Sequence, residues 1–423
     1  MDVHALGALT PVLAEVDQDM RTNVGSLFVI ALIAACVPLI VGLLRLRIAE
    51  VVLLLAFGVL FGPQGLGLIT INATTDTFNE LGLGMLFFLA GFELEAHAVQ
   101  GRSGKLAISG WFTSLVLAFL VTWALWDVGF VNDLPGIAIA LTSTALGTLL
   151  PVIRDRGLLH TEFGTYFQGA GALGEFGPIL AIALLLGSHS VVVTVITLVV
   201  FALVTWVIYR SPGRLMTERV MEVVARGHST SSQTAVRWTV VLLLFLLGLA
   251  AVFGLDAVLG AFVAGVVLRR YAPPGPDNRL APKIEAIGFG FFIPLFFVMS
   301  GAKLDIDSIT QNPVRLLVFF VLLLLVRGIP QFMLYRFAMP DTAERWQFTL
   351  YVATALPILV AITGLEVDNG VMLPENAAAI VGAGALTVLV FPLLGDRINR
   401  AGLARAAAAA ESARDHEWHS QPD

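Results

Sequence analysis

Apolar runs of about twenty residues, each closed by a short polar or basic segment, recur along the whole chain, and a helix of that length crosses a bilayer core. The pattern predicts about thirteen spanning helices. Their expected limits are 24–44, 48–69, 78–99, 105–126, 134–153, 162–186, 189–209, 237–255, 256–270, 285–303, 314–337, 346–364 and 374–396. The expected fold is therefore an all-α polytopic membrane protein. Two runs are interrupted. The fifth contains Thr142, Ser143 and Thr144, and the twelfth contains Thr354 and Pro357. They lie seven spans apart, and an odd separation makes the two helices run in opposite directions. That predicts two inverted six-helix repeats, 24–186 and 237–396, with 189–209 as linker, and discontinuous helices that cross near the midplane. In the simpler alternative, the hydroxyls bond their own backbone and Pro357 only kinks a helix.

Loop charge orients the chain. Segments after odd-numbered spans carry Arg45 and Arg47, Arg102 and Lys105, Arg154 and Arg156, a group from Arg210 to Arg237, Arg269 to Lys283, Arg336 and Arg345, then Arg397, Arg400 and Arg405. Those after even-numbered spans carry Lys303 and Arg315 and otherwise acids or nothing. Positive charge stays cytoplasmic, which places the N-terminus outside a plasma (inner) membrane and the C-terminus inside. Residues 1–23 become an extracytoplasmic segment, 24–396 the membrane domain, 210–236 a cytoplasmic loop with a possible surface helix, and 397–423 a cytoplasmic tail.

Composition agrees. The chain of 423 residues is 57% hydrophobic and 13% charged, against about 25% charged in soluble domains. The lone Cys36 excludes a disulfide scaffold and cysteine metal sites. His416 and His419, near the end of the tail, are expected to bind no metal. A net charge of −6 spread over loops points to no nucleic-acid partner. There is no HExxH, no Ser/His pair at membrane depth and no paired acids, so an enzyme is not expected. No cofactor is implied, nor any metal beyond a transported ion.

Charges inside the apolar runs are few. Glu175 lies in the sixth span, flanked by Gly171, Gly174 and Gly177, and Arg327 lies in the eleventh. A buried arginine needs a partner, and Glu175 is the most obvious carboxylate. In one reading the two form a permanent salt bridge. In the other, Glu175 binds a proton and a monovalent cation in turn while Arg327 stays charged. A single exchanging carboxylate predicts about one proton per cation, hence electroneutral exchange.

The stretches RLRIAEVVLLLAFGVLFGPQGLGLI, LGLGMLFFLAGFELE, IALTSTALGTLLPVIRDRGLL and IPLFFVMSGAKLDI resemble the monovalent cation:proton antiporter-2 family, a branch of the cation/proton antiporters that includes sodium/proton exchangers and potassium-efflux systems. The resemblance covers about residues 24–396. It implies thirteen helices in two inverted repeats, a homodimer, and a six-helix core that moves like an elevator. It also implies an ion- and proton-binding role for Glu175, Gly174 and Thr142 to Thr144, with Arg327, Thr354 and Pro357 supporting the crossing. The family usually has Asp at the Glu175 position and Asp, Asn or Gln at the Gly174 position. Potassium-efflux members continue into a nucleotide-binding domain with a Gly-rich loop. No such loop occurs in these 423 residues, so nucleotide regulation within the chain is not expected. Two other classes stay open: an organic-anion symporter on a related crossed-helix fold, and a gated cation channel or ion-sensing subunit.

Overall fold

The computed structural model describes residues 3–44, 49–94, 100–159, 161–186, 191–210, 233–271 and 280–419. Most of the loop 210–236, with the surface helix expected there, lies outside the described residues. In order, the helices of 7 or more residues are α1 (Val3–Leu43), α2 (Glu50–Phe61), α3 (Ala73–Glu93), α4 (Gly101–Asp127), α5 (Leu134–Ala140), α6 (Leu146–Asp155), α7 (Glu162–Leu185) and α8 (Val191–Arg210). The second half supplies α9 (Thr234–Val252), α10 (Ala257–Tyr271), α11 (Ala281–Ala302), α12 (Pro313–Phe337), α13 (Thr342–Val352), α14 (Pro357–Asp368) and α15 (Pro374–His419).

Among the described residues, eight helical stretches are long and apolar enough to cross a membrane, with α13 and α14 counted as one. Large apolar side chains point outward from several of them: Phe28 is 65% exposed, Val116 60% and Val199 62%. In water that would be costly; against lipid tails it is not.

Three boundaries depart from the hydropathy pattern. Helix α2 stops at Phe61, because the Gly62-Pro63-Gln64-Gly65 segment folds back with Leu66 N–H donating to the Leu60 carbonyl at 2.8 Å. At the other end of the chain, α15 continues past 396 through an alanine-rich run of high helix propensity. The segment 1–23, expected to precede the first span, is continuous with it in α1 from Val3.

The chain divides into two units. The first comprises Met1–Glu93 and Gly187–Asp307. Within it α2 packs on α11 through facing glycines. A Cβ on Gly58 would lie 2.1 Å from the Val298 carbonyl oxygen, and one on Gly301 would lie 2.2 Å from that of Leu55. Only hydrogen fits, so the backbones touch. Lys303 and Asp76 pair at 2.8 Å at one end of this unit.

The second unit comprises Leu94–Leu186 and Ser308–Asp423. Here α4 packs along α7 and also against α12. Arg102 Nη2 donates to the Phe337 carbonyl at 3.1 Å, which ties the start of α4 to the end of α12. Phe163, Phe167, Tyr335, Phe348 and Tyr351 form the aromatic part of its core. Beside them Asp396, 5% exposed, pairs with Arg156 and accepts hydrogen bonds from Tyr351 Oη at 2.6 Å and Gln347 Nε2 at 3.0 Å. Both interrupted helices belong to this unit.

Candidate functional site

The first interruption starts from a well-capped short helix. Asp133 caps α5 by accepting from Gly136 N–H at 2.9 Å, and Pro135 occupies its first turn. After Ala140 the helix ends in two tight turns. The hydroxyls of Thr142 and Ser143 donate to the carbonyls of Ile139 and Ala140, each at 2.7 Å. Those protons are therefore committed to the local backbone, and only the oxygen lone pairs remain for a ligand.

Thr144 behaves differently. Its N–H donates to the Gly174 carbonyl at 3.0 Å, and its hydroxyl donates to the Val352 carbonyl at 2.7 Å. The next amide, Ala145 N–H, donates to the Thr354 carbonyl at 2.8 Å. These bonds bring the two interruptions together across more than two hundred residues of sequence. The second interruption spans Ala353 to Leu356, with α14 beginning at Pro357. Pro357 thus stands in a first turn, where no N–H is needed, and starts a helix rather than kinking one. The Ala355 N–H is taken by Thr387 Oγ1 at 3.1 Å. Thr354 donates its hydroxyl back to Leu350 at 2.9 Å, so its carbonyl is the group it gives to the crossing.

Arg327 and Glu175 flank this junction. Arg327 is 0% exposed and lies in a π-helical turn of α12, Leu323–Gly328. Its Nε donates to Thr144 Oγ1 at 2.9 Å and its Nη2 to the Ala170 carbonyl at 2.7 Å. The described hydrogen bonds of the guanidinium thus go to two neutral oxygens. Glu175 is 5% exposed, and its Oε1 accepts from Gly147 N–H at 3.1 Å. Gly147 is the second residue of the half-helix α6, so the carboxylate faces the positive end of that helix dipole.

Gly174 is required sterically. A Cβ there would lie 2.4 Å from Thr144 Oγ1, 2.5 Å from Thr144 Cβ and 2.7 Å from Arg327 Nη2. Its contribution is a backbone carbonyl and the absence of a side chain. Thr142, Ser143, Thr144, Gly174, Glu175, Arg327, Thr354 and Pro357 all fall within this second unit, Thr144 at the centre of the bonding. The buried polar residues that the sequence does not single out include Thr387, Gln331 and Asp396. Gln331 follows Arg327 by one helical turn, a spacing that identifies it; Asp396 closes an apolar run and reads as a helix end.

Residues 28–396 match the family model described as the transmembrane sodium/hydrogen exchanger. The glutathione-regulated potassium-efflux system protein KefC of Escherichia fergusonii is 27% identical over 402 residues, which is 90% of this chain and 61% of KefC. YjbQ of Bacillus subtilis, whose name assigns it provisionally to Na(+)/H(+) antiport, is 24% identical over 320 residues, 72% of this chain and 51% of YjbQ. The chain thus spans about half to three-fifths of the length of these relatives. The fold is similar to that of the sodium proton antiporter MjNhaP1 from Methanocaldococcus jannaschii, with a TM-score of 0.55 and 16% identity over 91% of this chain and 98% of that one. By the match over residues 28–396, the chain belongs to the sodium/hydrogen exchanger family of membrane cation/proton antiporters.

Proposed function

We propose that the protein is a secondary active transporter that exchanges Na+ or K+ for H+, and that Glu175 is the exchanging group. The observation carrying this reading is a buried carboxylate beside the junction of two interrupted helices. Interrupted helices leave backbone carbonyls and dipole ends free for an ion at membrane depth. Glu175 Oε1, with lone pairs of Thr142 and Ser143, offers the hard oxygen ligands that a small monovalent cation takes. A proton and a cation compete for the same carboxylate, which couples their movements. Arg327 holds Thr144 and keeps its charge throughout, so one carboxylate exchanges about one proton per cation and transport is electroneutral. An organic anion as substrate would leave Glu175 without a role.

The same proposal includes thirteen spans in two inverted repeats, a homodimer, a plasma-membrane location with the N-terminus outside, and elevator-type alternating access in which the unit bearing the crossing moves. The names of the relatives include both sodium and potassium. The test is ΔpH dequenching in everted vesicles with Na+, K+ and Li+ compared around neutral pH. Glu175→Gln is expected to abolish cation-dependent proton movement. Retained flux in that variant would favour a channel, and rates that depend steeply on an imposed potential would overturn electroneutrality.

A further inference from the structure

Helix α12 carries Arg327, Gln331 and Tyr335 at four-residue spacing, so the three share one face. Each is 0% exposed. Among the described residues, Arg327 Nη1, both amide atoms of Gln331 and Tyr335 Oη have no hydrogen-bond partner. The facing helix α4 adds Ser114 Oγ and, where it meets α7, Trp111 Nε1, whose indole lies against Gly177; both atoms are buried and without a partner among the described residues. Two contacts fix how the helices face each other. Arg102 bonds the Phe337 carbonyl, and the Gln331 amide lies against Gly110, where a Cβ would be 2.3 Å from Oε1. The helices are therefore antiparallel, and the same register puts Ser114 level with Arg327. At the far end, next to Arg102 and Arg336, the rings of Tyr335 and Tyr166 meet edge to face at 5.6 Å.

Six orphaned polar atoms at the seam where α4 and α12 meet beside α7 are a heavy penalty in a membrane interior. They also alternate in character. Arginine and indole only donate, whereas serine, tyrosine and glutamine both donate and accept. Water suits such a lining, since a buried water makes about three hydrogen bonds. Arg327 Nη2 lies against Gly174, the neighbour of Glu175, so the seam begins at the proposed exchange site. We propose that a chain of water molecules fills the seam between α4 and α12, from Arg327 to Tyr335, and conducts the proton that Glu175 takes up and releases. This rests on the exchange reading given above. Each transfer moves one proton: a water donates to the Glu175 carboxylate, and its neighbours relay a proton inward from the Tyr335 end. Once the cation has left, the ionised carboxylate offsets the charge of Arg327, so the arriving proton meets no net positive barrier.

Two measurements on the full chain in proteoliposomes test this. Radiolytic hydroxyl-radical labelling in 18O-water should oxidise Trp111 and Tyr335 despite their burial; if both stay as unlabelled as the buried Phe297, the seam is dry and the proposal fails. Gln331→Leu should slow cation-dependent ΔpH changes about tenfold, the factor set by roughly 1.4 kcal/mol on a barrier, with the half-saturating cation concentration unchanged. Tyr335→Phe should slow them in the same manner. In a dry seam, Gln331→Leu would instead raise thermal stability, because it replaces an orphaned amide with an apolar isostere, and that result would overturn the proposal. A wild-type protein that labels at both positions but moves no protons with cations would sink the exchange reading and leave a hydrated seam without that role.

Discussion

Arg327 and Thr144, 183 positions apart in sequence, are joined by a 2.9 Å hydrogen bond from Nε to Oγ1. The same hydroxyl donates to Val352, and the neighbouring amide of Ala145 donates to Thr354. One threonine side chain therefore links α12, the first interruption and the end of α13. An interrupted helix leaves amides and carbonyls unpaired, and in a bilayer each must find a protein partner. Thr144 meets two of those needs, its own amide and the Val352 carbonyl, and accepts from Arg327 besides.

Thr144→Val keeps the shape and removes the oxygen. It leaves Arg327 Nε and the Val352 carbonyl unpaired in a buried site, at about 1–3 kcal/mol each. Thermal unfolding in detergent is expected to shift down by several degrees, with transport lost. Thr144→Ser restores the oxygen and should recover most of both. A Thr144→Val protein with wild-type stability and transport, beside a damaged Thr144→Ser, would show that the methyl group matters and the hydroxyl does not.

Gly174→Ala tests the steric role of that position. The added methyl meets Thr144 Oγ1 and Cβ and Arg327 Nη2, all closer than real Cβ contacts, so overpacking of about 1–3 kcal/mol is expected. Gly174→Asp, which introduces the acid usual in the family, should be worse still, because its larger side chain enters the same space. A Gly174→Asp protein that unfolds at the wild-type temperature would contradict this placement.

What could be read from the sequence follows physical contrast. Glu175, Arg327 and the Thr142–Thr144 break stand out because charge and hydroxyls are costly inside apolar runs. Pro357 stands out because it cannot donate to a helix ladder. The partners of these groups could not be read, since Arg327 to Ala170 and Thr144 to Val352 join residues 157 and 208 apart. Charge alone points Arg327 toward Glu175, and nothing in the linear sequence announces the Thr144 hydroxyl or the Ala170 carbonyl as its hydrogen-bond partners. Gly174 looked like a missing ligand, whereas the close approach of Thr144 makes it a steric requirement. Asp396 was passed over because it lies where hydropathy ends a helix, and only the packed structure buries it against Arg156 and Tyr351.

Asp396→Asn should weaken the end of the second unit. The carboxylate is almost fully buried, while Arg156 is 34% exposed, so Arg156 can turn to water and the loss falls below the 3–5 kcal/mol of a fully buried pair. A cost of roughly 2 kcal/mol is expected in thermal unfolding, since an amide still offers one acceptor to Tyr351 and Gln347. Asp396→Ala, which removes every acceptor, should cost more than Asp396→Asn. If the two variants unfold together, the hydrogen bonds contribute nothing beyond the charge.

Asp133 makes a pH-dependent contribution whose sign can be worked out. It lies just before α5 and is 1% exposed. Burial raises its pKa above the ordinary value of 3.8, with the Gly136 amide acting weakly in the opposite direction. The native state therefore holds this proton more tightly than the unfolded chain does. That stability is fully present below the unfolded value and is lost as pH rises through the folded one. Asp133→Asn removes the ionisation and keeps the cap, because asparagine accepts from Gly136 N–H about as well as aspartate does. The variant should match the wild type at acidic pH and unfold at a higher temperature near neutrality, with the gap opening across the range where Asp133 ionises. A gap of constant size at every pH would mean that the carboxylate is not titrating in a buried site.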